Sequence, residues 1–277
     1  MPLLLLLACS TPPEDTGPPP ATEGQLTALT YNVHGLPPGV TGDDTPGRMT
    51  QIAPRLPAYP LIGLQEDFDP ENHALLVAQA EHQTQAWFDE VLDDRVYPSG
   101  LAVLVDQPLV ELLEVHYDAC NGLLDGASDC FASKGFQVLR LQLGAGQVDV
   151  YNTHMEAGSG EADDAARATQ VDQLVATLNG FSADRAVIFL GDSNLHDDDP
   201  DDLPLVEQLK EEGGLTDACD AVGCPEPGRI DRVMIRSAGG VHLEVLAWRV
   251  DEAFVDAQGV GLSDHDAVSA TLAWSVE

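Results

Sequence analysis

Residues 186–194 read Ala186-Val187-Ile188-Phe189-Leu190-Gly191-Asp192-Ser193-Asn194. The short apolar run predicts a strand buried on both faces, and its end delivers an acid and an amide. The same grammar recurs on either side of it. Leu26 to Tyr31 alternates like a strand and stops at Asn32, and Leu61-Ile62-Gly63-Leu64 runs into Gln65-Glu66. Val148 to Thr153 ends at His154 and closes a hairpin-like stretch that begins at Phe136. Ile230 to Ile235 carries Asp231 inside a β-rich run, and Asp264-His265 stands just before a strand candidate from Ala267 to Ala273. Val171, Leu174, Val175 and Leu178 follow the i, i+3, i+4, i+7 pattern of an amphipathic helix. Asn72 to His82 and Leu203 to Glu212 are weaker helix candidates. Strands alternating with helices, plus a hairpin, predict a mixed α/β sandwich. No repeat of fixed period is visible, and residues 25–277 read as one domain.

Composition narrows the partners. The 277 residues include 47 Asp plus Glu and 12 Lys plus Arg, for a formal charge of −35, and 44% are apolar. That apolar share is ordinary for a chain with a packed core. The two lysines, Lys134 and Lys210, form no basic stripe for gripping a nucleic-acid backbone. A small phosphorylated substrate is still compatible, because one divalent cation inverts the sign of a local site.

The N-terminal segment 1–9 resembles the end of a bacterial lipoprotein signal. Its apolar run leads into Leu6-Leu7-Ala8-Cys9, with Cys9 as the acylated residue, although no Lys or Arg precedes the run. Residues 10–24 are rich in proline and small polar residues and read as a semi-extended tether. An exported chain held at the bacterial cell envelope, membrane-anchored or secreted, is the expectation. The remaining cysteines fall into two local pairs, Cys120 with Cys130 and Cys219 with Cys224. Disulfides are favoured over zinc, since neither pair has knuckle spacing and no histidine stands close by.

Taken singly, each polar strand end has a bland explanation. Asn32 reads as a turn cap, Asp192 as an N-cap and His154 as a satisfied histidine. Together they do not. Thr30-Tyr31-Asn32-Val33, Leu64-Gln65-Glu66, Asn152-Thr153-His154, Gly191-Asp192-Ser193-Asn194, Ile230-Asp231-Arg232-Val233 and Ser263-Asp264-His265 resemble, in order, the motifs of the endonuclease/exonuclease/phosphatase superfamily. That superfamily includes the deoxyribonuclease I-like nucleases, neutral sphingomyelinases and inositol-phosphate 5-phosphatases.

The resemblance implies a four-layer α/β/β/α sandwich of two mixed sheets flanked by helices. It implies hydrolysis of a phosphoester with a divalent cation: magnesium, or alternatively manganese or calcium. Glu66 then looks like the principal metal ligand, with Asn32 and Asp264 completing or flanking the site. Asp192 is placed to activate water, Asn194 to fix the phosphate or that water, and His154 and His265 to serve the developing charge. Asp231 would hold one ring nitrogen of His265. Lys134-Gly135 resembles a Lys-Gly at the start of a strand in the sphingomyelinase and inositol-phosphatase branches, and makes Lys134 a substrate-binding candidate. Ser193 stands where the family often has Phe.

Two stretches read both ways. His196-Asp197-Asp198-Asp199-Pro200-Asp201-Asp202 is a solvated loop or a second calcium site, the loop being favoured. His34 is a turn residue before Gly35-Leu36-Pro37-Pro38, or a neighbour of the site.

The expected function is a monomeric, metal-dependent phosphodiesterase acting on a lipid headgroup or small organic phosphate. The charge disfavours nucleic acid as the partner and so weakens the nuclease reading. An inactive surface lipoprotein that binds a partner is the rival of another class, and a calcium-binding surface module a third.

Overall fold

A computed structural model describes residues 19–122 and 129–277; the signal-like segment with Cys9 and most of the tether lie outside the described residues. The first sheet contains β1 (Glu23–Asn32), β2 (Leu61–Gln65), β3 (Thr84–Phe88), β4 (Leu101–Val105), β11 (Val241–Val250) and β12 (Val268–Val276), in the order β11-β12-β1-β2-β4-β3. The second contains β5 (Leu109–His116), β6 (Gly135–Leu143), β7 (Gly146–His154), β8 (Ala186–Asp192), β9 (Thr216–Asp217) and β10 (Asp231–Arg236), in the order β5-β6-β7-β8-β10-β9. Among the described residues six α-helices accompany them: α1 (Pro38–Thr41), α2 (Thr45–Ile52), α3 (Pro70–Leu76), α4 (Glu161–Gly180), α5 (Leu203–Glu211) and α6 (Ala218–Val222).

β8 is buried along its whole length because it is interior on every side. It pairs parallel with β7 and antiparallel with β10. A parallel pair needs a crossover, and α4 supplies it. The α4 stripe of Val171, Leu174, Val175 and Leu178 lies against Tyr151, Phe189 and Leu209 in one apolar layer. β1 and β2 form the other parallel pair, bridged by α2, which packs Met49 and Ile52 over Leu29, Ile62 and Leu64. Between the sheets a third layer joins Leu61, Val103, Leu139, Val150, Ile188, Val233 and Leu272. The result is the expected sandwich, with two mixed six-stranded sheets face to face and helices outside.

Two details bring the sheets together at one end. A Cβ on Gly63 would fall 2.8 Å from Asn152 Oδ1 and 3.1 Å from Leu190, so only glycine admits this approach. Asn152 of β7 then reaches across to the first sheet. Its amide donates to the Leu64 and Ala102 carbonyls at 3.0 and 3.1 Å and accepts from Gln65 Nε2 at 2.7 Å.

Departures from expectation are local. Asp69 caps α3 by accepting from Glu71 and Asn72 N–H, and Pro70 opens it, so this helix starts before Asn72 and ends at Leu76 rather than His82. β1 starts at Glu23, inside the stretch read as tether. Both cysteine pairs are bridged, Cys120 to Cys130 and Cys219 to Cys224.

Candidate active site

The ends of β1, β2, β7, β8 and β10, with the turn before β12, meet at the seam between the sheets. There Asn32, Glu66, His154, Asp192, Asp231, Asp264 and His265 converge. Two side chains hold the loops in place. Arg48 of α2 donates to the carbonyls of Val33, His34 and Leu262. Ser263 Oγ donates to the Asn32 carbonyl at 2.7 Å, tying the Asp264-His265 turn to the end of β1. Among the described non-glycine residues, those with left-handed backbone are His34 (φ 49°), Glu66 (φ 57°) and Asn194 (φ 49°). All three are at this site, where such strain concentrates in proteins. Gly35 lets the first two loops touch: its N–H donates to Glu66 O at 3.0 Å, and a Cβ there would overlap that oxygen.

A hydrogen-bonded histidine–aspartate pair forms one wall. His265 Nδ1 lies 2.8 Å from Asp231 Oδ2, and Nε2 faces Asp192 Oδ2 at 3.7 Å. Burial opposes charge on this ring, but the Asp231 bond and the charges of Asp231, Asp192 and Asp264 overcome it and raise His265 to about 10. Asp231 is itself pushed up to about 6 by burial and by Asp192, against the pull of His265. The imidazolium therefore persists through neutral pH with Nε2–H aimed into the cleft. Asp192 accepts from Asn194 N–H at 3.0 Å and from Asn32 Nδ2 at 3.0 Å. The Asn194 amide in turn donates to Met155 O at 3.1 Å.

His154 is the opposite kind of histidine. Its Nε2 lies 3.1 Å from Lys134 Nζ, 3.5 Å from Asp192 and 4.0 Å from Glu66, while Nδ1 is buried with no partner. Burial, then the charges of Lys134 and His265, hold its pKa well below the usual range. Of the two imidazoles singled out in the sequence, His265 is the cation and His154 stays neutral. Lys134 Nζ also donates to Met155 O at 2.8 Å and pairs with Asp129 Oδ1 at 2.6 Å. Its three N–H donors are all engaged. In this structure Lys134 braces His154 and lines the cleft without offering a spare donor.

Glu66 and Asp264 form the acidic wall. Asn32 Nδ2 sits between Glu66 Oε1 and Asp192 Oδ2, 3.0 Å from each, and its Oδ1 accepts the His34 N–H at 3.0 Å. The His34 ring, read from sequence chiefly as a turn residue, is in the site: Nδ1 lies 3.2 Å from Asp264 Oδ2 and 3.7 Å from Glu66 Oε2. Burial raises the Glu66 carboxyl, with Asn32 and Lys134 pulling the other way. The carboxylates of Glu66, Asp192, Asp231 and Asp264 face one lysine and one imidazolium, an excess of negative charge that a divalent cation would neutralise. Asp192, Asp231 and His265 also bring ligand atoms within 4.8 Å of one another. Asp231 and His265 already bond each other, however, which suits proton transfer better than holding an ion.

The acidic stretch after Asn194 is more than a solvated loop. Asp197 pairs with Arg229 at 3.0 Å, and Asp202 with Arg167 at 2.9 Å. The fully buried Arg232 donates to Asp217 and to the Leu195 carbonyl, fixing the segment behind Asp192. Sequence reasoning passed over Arg48 and Arg232 because each does its work through backbone carbonyls or partners far along the chain.

The sequence model of the endonuclease/exonuclease/phosphatase family matches residues 29–265. The chain belongs to this family. A sphingomyelinase of Mycobacterium bovis is 29% identical over 90% of the chain and 52% of its own length, so the chain spans about half of that relative. The sphingomyelinase C of Streptomyces griseocarneus superposes with a TM-score of 0.66 at 21% identity, over 90% of this chain and 99% of that one. A Staphylococcus aureus beta toxin variant with bound magnesium ions superposes at 0.68 and 15% identity, over 89% and 99%. These likenesses cover the whole sandwich of this family member.

Proposed function

We propose that the protein is a divalent-cation-dependent phosphodiesterase acting on a lipid headgroup or similar small phosphodiester. The observation that carries this is the charged His265–Asp231 pair facing Asp192 across a cleft whose other wall is the acidic Glu66. Asp192 accepts a proton from water as its oxygen attacks phosphorus, with Asn194 holding Asp192 in position. The phosphorus–oxygen ester bond breaks on the far side, and His265 Nε2 gives its proton to the departing alcohol oxygen. Asp231 keeps the ring oriented and charged through Nδ1. A cation held by Glu66 and Asp264 would supply charge stabilisation to the phosphoryl oxygens. Asn32 spaces Glu66 from Asp192.

The cleft beside Glu66, Lys134 and His154 has a volume of about 280 Å³, with Phe68, Tyr97, Phe131 and Leu36 in its walls. Aromatic faces next to carboxylates suit a quaternary ammonium headgroup. The sphingomyelinase relatives and the formal charge of −35 favour this substrate class over nucleic acid. Two disulfides fit an exported chain, and Leu6-Leu7-Ala8-Cys9 fits anchorage through an acylated Cys9. The test follows hydrolysis of bis-p-nitrophenyl phosphate, sphingomyelin vesicles and plasmid DNA, with magnesium and then with EDTA. The expected result is sphingomyelin turnover that EDTA abolishes and magnesium restores, and that His265→Ala loses. Preference for plasmid DNA, or turnover indifferent to EDTA, would overturn the reading.

A further inference from the structure

We infer that the groove on the His265 side of the site holds the leaving alcohol, and that Trp248 makes an uncharged, apolar alcohol the preferred one. The inference rests on the reading that His265 protonates the departing oxygen, and it concerns what is attached to that oxygen. Two openings flank Asp192, whose Oδ2 lies 3.5 Å from His154 Nε2 and 3.7 Å from His265 Nε2. The first is the aromatic-walled cleft with Glu66, Lys134 and His154. The second, of about 350 Å³, has Asp231, Asp264 and His265 in its walls and shares no residue with the first. In-line displacement puts the departing oxygen opposite the attacking water and beside the acid that protonates it. The carbon chain on that oxygen then continues past His265 into the second groove, while the retained ester substituent stays in the first.

A slip in β11 builds this groove. Val241, Leu243 and Val245 alternate inward, and an unbroken strand would go on to turn Ala247 and Arg249 inward and Trp248 outward. A bulge at Leu246 inserts one residue, so that Ala247 pairs with Thr271, Trp248 with Ala270 and Val250 with Val268. Trp248 and Val250 thereby join the buried Val268 and Ala270 on the inner face, where Trp248 rests against the core between the sheets. Trp248, Val250 and Ile230 are only half-buried, which leaves an apolar wall open beside the acid. Beyond its histidines, the groove carries the exposed carboxylates of Glu226, Asp264 and Asp266 and one guanidinium, that of Arg229. Arg229 is already paired with Asp197, Asp217 and Asp220. A phosphorylated or carboxylated leaving group would meet those carboxylates without a spare arginine, whereas an alkyl chain meets the Trp248 ring.

The test gives the full chain, with magnesium, two series of monomeric substrates. In one, phosphocholine esters carry methanol, butanol or hexanol as the leaving alcohol; in the other, p-nitrophenolate leaves and the retained alkyl group lengthens. A fully buried methylene is worth about fourfold, so wild-type kcat/KM should rise on the order of tenfold or more from the methyl to the hexyl ester. Trp248→Ala should lower that hexyl-to-methyl ratio about tenfold, and Val250→Thr, which keeps side-chain volume and suits a strand, about threefold. Each ratio is taken within one variant, so a general loss of activity cancels. A flat ratio in the wild type, a ratio that survives in both variants, or a loss confined to the retained-group series would overturn the inference. Occupancy is also read without turnover, from quenching of tryptophan fluorescence by bromohexanol, which should saturate in the wild type and lose that saturable part in Trp248→Phe. Saturable quenching of Trp248 with no ester hydrolysed would refute the phosphodiesterase and spare the groove as an alcohol site. Hydrolysis with neither quenching nor chain-length dependence would do the reverse.

Discussion

Replacing Asp231 by Asn removes the charge that keeps His265 protonated and leaves a neutral side chain of nearly the same size. The ring titrates at about 10 in the intact protein, against an ordinary value of 6.5. At 1.36 kcal/mol per pH unit, that difference is about 5 kcal/mol of preference for the charged ring. Burial lowers the ring while Asp192 and Asp264 still raise it, so the Asp231→Asn ring should titrate well below 10, falling toward 6.5. At pH 8 a ring that reaches 6.5 is only about 3% protonated, so a reaction that needs its proton slows by up to roughly thirtyfold from protonation alone. The assay has two parts: an NMR titration of the His265 ring nitrogens, and turnover of bis-p-nitrophenyl phosphate from pH 5 to 10.5. The falling limb of the rate profile should move from near pH 10 toward 6.5, with activity partly recovered in acid.

Stability should move with it. The folded His265 is raised, so its contribution is complete below pH 6.5 and disappears as pH rises through about 10. Asp231 is raised to about 6, so its buried carboxyl favours the fold when protonated and withdraws that support as pH climbs from 3.8 through 6. The charged pair therefore exists between about pH 6 and 10. A variant ring still titrating above pH 9, or a rate limb that stays put, would refute the assignment of Asp231 as the source of the charge.

Lys134→Met should leave Asp129 without its cation and remove the donor to His154. Loss of one partner from a buried ion pair costs about 3–5 kcal/mol, measurable as a lowered urea midpoint, and a loss under about 1 kcal/mol would argue against the bracing role. Gly63→Ala would push a methyl against Asn152 and Leu190 and part the sheets at the seam. A destabilisation of about 1–3 kcal/mol together with a fall in kcat is expected, and an unchanged kcat would show that the seam tolerates wider spacing.

What was legible in the chain follows from periodicity and from position. Ala186–Leu190 and the α4 stripe announce themselves because each is buried by its immediate neighbours, so the apolar pattern is uninterrupted. The six short motifs mark strand ends, and those ends carry the site. β5 was not visible in the same way: it is an edge strand, and Leu109, Val110, Glu111 and Leu112 are exposed, so no face is kept apolar. His34 was hidden because its ring position depends on a left-handed backbone that no local pattern signals. Lys134 was found as a residue of the site, but not that its three donors are consumed by Asp129, His154 and Met155 from elsewhere in the chain. The opposite protonation of His154 and His265 likewise depends on one being hydrogen-bonded to Asp231 and the other set against Lys134, which sequence alone does not disclose.

Strand order gives the site a temporal property. β12 lies between β11 and β1, so the first strand of the sandwich acquires its second neighbour only when the last one enters. Asp264 and His265 sit immediately before that strand and arrive with it. A chain still being synthesised holds Glu66 and Asp192 before it holds the His265 imidazole. Under the proposed mechanism, a chain arrested short of β12 lacks the acid that hydrolysis requires.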